Sequence, residues 1–172
     1  MDIALGVLLF VSSAITAMVP TPSLESPHIR TDDAYVRAAI DAGISGSPLF
    51  HALVDQIDSS DLIVYVSSDC GMPSFLFGKT MFMSAGGGRR YVMIRIACAR
   101  TDRERVAILG HELQHAIEIA DAPSVVDQES LAAEYRRIGF MSDGFRAGSG
   151  FDTHAAIETG RRVWAELGRS AE

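Results

Sequence analysis

The stretch TDRERVAILGHELQHAIEIA, residues 101–120, decides the reading of this chain. Thr101 followed three residues later by Glu104 is a capping box, in which two side chains satisfy the orphan amides at a helix start. Val106, Leu109, Leu113 and Ile117 then recur at four- and three-residue intervals, so an apolar stripe runs down the predicted helix. Pro123 forces its neighbour out of the helical region and ends the helix near Ala120 or Asp121. On this helix His111 and His115 stand four apart, so their rings project from one face and reach one tetrahedral cation. Glu112, next to the first histidine, stands beside a water on that cation without displacing it. Zinc in such a site brings the water's pKa toward neutrality, and the glutamate takes the proton and passes it to a leaving amine. The competing reading is a surface helix with two solvated histidines.

Upstream, 62–66 is rich in β-branched and aromatic residues and reads as a strand. Residues 79–84 and 90–98 flank Ala85-Gly86-Gly87-Gly88-Arg89 and read as a hairpin. Val92, Ile94, Ile96 and Cys98 alternate with Tyr91, Met93 and Arg95, which puts one face of that strand in the core. The glycine run lacks the Lys-Ser/Thr ending of a phosphate loop, so it is a turn. Before these strands, Thr31-Asp32-Asp33 starts one helix, interrupted by Gly43 and Gly46, and Ser47-Pro48 starts a second that reaches about Ile57. Downstream, a helix over 126–138 stops at Gly139, a loop with Gly144, Gly148 and Gly150 follows, and a last helix covers 153–167.

His-Glu-Leu-Gln-His on a helix that follows a hydrophobic strand resembles the zincin metallopeptidases, over roughly residues 62–139. The resemblance implies an α+β fold: a small zincin-like domain with a sheet of three or slightly more strands packed on the motif helix and further helices on either side. It also implies a zinc cofactor, a peptide or protein substrate, and an edge strand that pairs with an extended peptide. Glu112 would be the catalytic base and His111 and His115 metal ligands. The metzincin branch needs a glycine and a third histidine where this chain has Glu118 and Asp121, so the likeness is to gluzincins instead. That branch takes its third ligand from a later helix, which assigns the metal site His111, His115 and Glu134. Glu118, Glu129 and Asp152 are the alternatives. Glu118 suits a hydrogen bond to a ligand histidine better than ligation, because of its rise along the helix. Asp152 opens Phe-Asp-Thr-His-Ala-Ala, somewhat like the Glu-x-x-Ala stretch of some gluzincins. Tyr135 and Arg136 are candidate oxyanion donors, and His28, His51 and His154 have no partner at metal spacing.

Composition bounds the partners. The 172 residues suffice for one compact core, and a formal net charge of -7 without a long basic run excludes nucleic acid as an expected partner. The apolar run at 3–11, followed by small residues through Ala17, reads as a signal peptide over 1–17. A linker over 18–27 then leads to a zincin-like domain over 28–172. These features predict an exported protein, periplasmic or secreted, with no membrane span in the mature chain. Cys70 and Cys98 fit no cysteine zinc motif and read as two unpaired core thiols, with one bridge open to an exported chain. The leading function is zinc-dependent peptide-bond hydrolysis. The alternatives are a catalytically inactive zincin-fold module that binds a peptide or partner, and a toxin or immunity-type factor.

Overall fold

The computed structural model describes residues 26–98, 100–141 and 150–169. The signal peptide, most of the linker, and Gly144 and Gly148 of the glycine-rich loop lie outside the described residues. In chain order the elements are β1 (Ile29–Arg30), α1 (Ala34–Gly46), α2 (Pro48–Asp58), β2 (Leu62–Asp69), β3 (Gly78–Gly86), β4 (Arg89–Ala97) and α3 (Asp102–Ala120). They continue as α4 (Gln128–Ile138), β5 (Phe140–Met141), β6 (Phe151–Asp152) and α5 (His154–Arg169). The class is α+β, as the sequence predicts.

Local chemistry explains most boundaries. Asp33 caps α1 by accepting from the amides of Tyr35 and Val36, and Ser47 caps α2 ahead of Pro48. The predicted capping box of Thr101 and Glu104 opens α3, whose C-cap is Asp121. The β3–β4 turn is the pair Gly87 and Gly88, at φ 61° and 75°, a left-handed conformation that favours glycine at both positions. One start differs from expectation. The helix predicted from residue 126 begins at Gln128, because the Asp127 side chain takes the Ser130 amide and sets the cap two residues later.

The main sheet has the order β1-β2-β4-β3, with β1, β2 and β4 parallel and β3 antiparallel on the edge beside β4. Leu62, Val64, Val66, Phe82, Val92, Ile94 and Ile96 form its inner face and are buried. The motif helix α3 lies among this face, α1, α2 and α5, and buries Val106, Leu109, Leu113, Ala116 and Ile117. Gly160 on α5 makes that crossing close: a Cβ there would stand 3.3 Å from the Ala107 carbonyl oxygen and from the His111 Cβ. No helix of the described residues is long and apolar enough to cross a membrane.

Two features correct or extend the sequence reading. Cys70 and Cys98 are joined in a disulfide and are not free core thiols. The parallel register pairs Asp69 with Ala97, so the residues that follow them are neighbours, with Cα atoms 4.9 Å apart. Second, Arg90 is buried at the start of β4 and clamps the end of α3. Its Nε and Nη2 donate to the Asp61 carboxylate at 2.7 Å each. Its guanidinium also donates to the carbonyls of Ile119, Ala120, Ala122 and Val125, at 2.7, 3.0, 2.8 and 3.3 Å. A cation at the carbonyl end of a helix also meets the negative end of its dipole. The Arg90 hydrogen bonds outweigh partial burial and hold the Asp61 carboxyl below its usual pKa. Arg90→Met removes the guanidinium donor from the Ala120 and Val125 carbonyls and from the Asp61 carboxylate, while the Ile119 and Ala122 carbonyls keep backbone amide donors, and we expect a loss of about 3 kcal/mol in urea unfolding. A loss below about 1 kcal/mol would show that the clamp carries little of the stability.

Candidate metal centre

Three elements bring the candidate site together. From α3, His111 and His115 present neighbouring rings, 4.9 Å between centroids and nearly perpendicular. From the short β5–β6 pair, Asp152 reaches both: its Oδ1 lies 3.4 Å from His111 Nε2 and 3.6 Å from His115 Nε2. The three side chains form a group whose ligand atoms lie within 4.8 Å of one another. Thr153, which follows Asp152, caps α5 by accepting from the Ala156 amide, so the aspartate is fixed at a strand-to-helix junction.

A second ring of contacts holds these groups. Glu118 Oε2 lies 2.8 Å from His115 Nδ1, which leaves the Nε2 of that ring for the Asp152 side. The other Glu118 oxygen accepts from the Thr153 hydroxyl at 2.6 Å. The Tyr135 hydroxyl donates to the His115 carbonyl at 3.3 Å, and its ring meets the His115 ring edge to face. Burial pulls the His115 pKa down, but the bonds to Asp152 and Glu118 win and raise it to about 10. Burial pushes Asp152 up, yet the two histidines hold its carboxyl below the usual range. For Tyr135, burial first and the surrounding carboxylates second push the phenol pKa upward.

Glu112 occupies a different wall. Its side chain is turned to β3, where Thr80 Oγ1 donates to Oε2 at 2.8 Å, and it is only 4% exposed. Burial raises its pKa, against the opposing pull of His115 and His111. Gly78 makes this position available, because a Cβ there would lie 2.5 Å from Glu112 Oε1.

These groups open on a cleft of about 1210 Å³. Its walls follow helical periodicity: Ile157, Gly160, Arg161 and Trp164 from α5 on one side, and Gln128, Leu131, Ala132, Tyr135 and Arg136 from α4 on another. The edge strand contributes 78–81, and the loop before it contributes Phe75 and Phe77, both exposed. The Arg100 guanidinium stacks on Phe77, 3.9 Å from the ring centroid.

The remaining candidates from the sequence are placed as follows. Glu134 is not brought to the histidines. Tyr135 and Leu131 turn toward the cleft, and the preceding residue is rotated by about 100° from Tyr135 around the helix. Its carboxylate instead pairs with Arg137, whose Nε donates at 3.0 Å and whose Nη2 makes a second contact. That partner, against slight burial, keeps its pKa below the usual value. Glu129 is exposed in the first turn of α4. Arg136 lines the cleft, while the Tyr135 hydroxyl is engaged with the His115 carbonyl. His28 bonds the Ile57 carbonyl, His51 lies 3.7 Å from Asp55, and His154 packs on Phe140. Nothing in the sequence marks Thr80 or Gly78 for the site, and Thr153 reads there only as the start of the last helix. Each is an ordinary strand or cap residue until the register is known.

No known protein family, curated protein or solved structure matches the chain.

The close approach at Gly78 is directly testable. Gly78→Ala forces the strand or Glu112 to shift, and we expect it to cost about 1–3 kcal/mol in urea unfolding. An unchanged unfolding midpoint would contradict the packing described.

Proposed function

We propose that the chain is a zinc metallopeptidase with His111, His115 and Asp152 as protein ligands and Glu112 as the general base. The observation that carries the reading is the convergence of two imidazole Nε2 atoms on one carboxylate oxygen, beside a buried glutamate that shares neither of their contacts. The donor set fits zinc, which takes nitrogen and oxygen ligands at about 2.0–2.2 Å and keeps a fourth position open in catalytic sites. A tetrahedron of that radius has edges of about 3.3–3.6 Å, and the two Asp152–histidine separations are 3.4 and 3.6 Å. Bound there, zinc would supply Lewis acidity and lower the pKa of a water so that it gives up a proton and becomes nucleophilic near neutral pH.

The chain's own groups supply the rest. With zinc bound, Glu118 would hold the Nδ1 hydrogen of His115, which leaves Nε2, the atom on the Asp152 side, to the metal. Thr80 holds one Glu112 oxygen, and burial favours the protonated acid, so the glutamate takes a proton from the attacking water and returns it to the leaving amine. The open edge of β3 offers main-chain groups to an extended peptide, and Phe75, Phe77, Met141 and Trp164 add an exposed apolar lining. The Cys70–Cys98 bridge supports an oxidising compartment and therefore export.

Elemental analysis of purified protein is expected to give about one zinc per chain. His115→Ala and Asp152→Ala should abolish that binding, and Glu134→Ala should retain it. Loss of zinc in Glu134→Ala alone would return the third-ligand role to that residue. Glu112→Gln is expected to keep zinc and fold while slowing cleavage of an unstructured protein such as casein by at least about two orders of magnitude. Equal cleavage by the variant would remove Glu112 from the chemistry, and a zinc-loaded wild type that cleaves nothing would favour a binding module.

A further inference from the structure

The β3 edge runs over Gly78–Gly86, and it is occupied partway along. In an antiparallel pair, residues alternate between bonding their partner strand and facing away from it. The Ala97 amide donates to the Phe77 carbonyl at 2.8 Å, which puts Phe77, Lys79 and Met81 in the set that bonds β4. Gly78, Thr80 and Phe82 therefore direct their amides and carbonyls outward. For Phe82 the outward carbonyl is already taken: Gln128 Nε2, from the first residue of α4, donates to it at 2.6 Å. The regular ladder also breaks at this point, with a register shift between Phe82 and Ser84. Between the start of β3 and Phe82, and among the described residues, the open rungs are Gly78 and Thr80, the two residues that flank the Glu112 carboxylate. Toward Phe77 the cleft continues along the loop wall of Phe75 and Phe77.

We infer that Gln128 is a specificity-determining residue that closes the β3 edge at Phe82, so that a bound peptide extends freely in one direction only. The inference rests on the reading of this site as a peptidase. Antiparallel addition is the more stable way to extend an edge. A peptide bound in that sense runs opposite to β3, so its N-terminal end points toward Phe82 and meets Gln128. With Glu112 beneath Gly78 and Thr80, the distance from Thr80 to Phe82 is about 7 Å, or about two residues of extended chain. The substrate class is thus a peptide cut close to its N-terminus, with about two or three residues ahead of the scissile bond and no limit beyond it.

The probe is a tryptic digest of casein, exposed to the zinc-loaded full chain, with cleavage positions mapped by mass spectrometry. Wild type is expected to cut within about three residues of peptide N-termini. Gln128→Ala, and independently Gln128→Asn, whose shorter amide does not reach Phe82, should move cleavage into peptide interiors, raising the interior fraction several-fold. Three outcomes overturn the inference while leaving the peptidase reading intact: interior cuts by wild type, cuts counted from the C-terminus, or an unchanged pattern in both variants. A zinc-loaded wild type that cuts nothing overturns the peptidase reading, and this inference with it.

Discussion

The Arg90 guanidinium is the contact on which the geometry of the site depends. It ties the end of the motif helix to the start of β4 by donating to the carbonyls of Ile119 and Ala120 in the last helical turn and of Ala122 and Val125 just beyond it. Asp61 holds the same guanidinium in a two-pronged pair, so the plane of the clamp is fixed as well as its position. At the other end of α3, Arg103 donates to the Trp164 carbonyl and stacks on the Trp164 ring, which ties the helix to α5. A helix held at both ends has a fixed rotation. Leu109, Leu113 and Ala116 then face the core, and His111, Glu112 and His115 are left to the side where β3 and the β5–β6 pair approach.

The histidine pair is legible in the sequence, and the carboxylate that meets it is not. Four-residue spacing places two histidines on one helix face whatever the tertiary fold, so His111 and His115 follow from the chain alone. The third partner depends on which face of another element meets them. Glu134 sits on a helix that lines the cleft, but one residue before Tyr135 it is turned away and finds Arg137 instead. Asp152 reaches the histidines only because Phe140 and Met141 pair with Phe151 and Asp152. Two-residue strands carry no periodicity that sequence reasoning can detect.

The same distinction holds for the fold. Caps at Asp33, Ser47 and Thr101 and the two-glycine turn are local chemistry, and they set boundaries readable from a few residues. The insertion of β4 between β2 and β3 is a long-range choice. The bridge between Cys70 and Cys98 follows from that choice, since only parallel pairing of β2 and β4 makes these residues neighbours. Thr80 and Gly78 are similar cases, because their contact with Glu112 appears only when β3 lies over α3.

Histidine, histidine and aspartate around one point, with Glu118 behind one ring and Glu112 on the adjoining wall, form an arrangement whose meaning rests on the ion it holds. The most direct test is anomalous diffraction at the zinc absorption edge from crystals of the zinc-loaded protein. One strong peak is expected about 2.0–2.2 Å from His111 Nε2, His115 Nε2 and an Asp152 carboxylate oxygen, with Glu112 outside ligand distance. A peak elsewhere, a peak ligated by Glu134 in place of Asp152, or no peak at the histidines would contradict the proposed site.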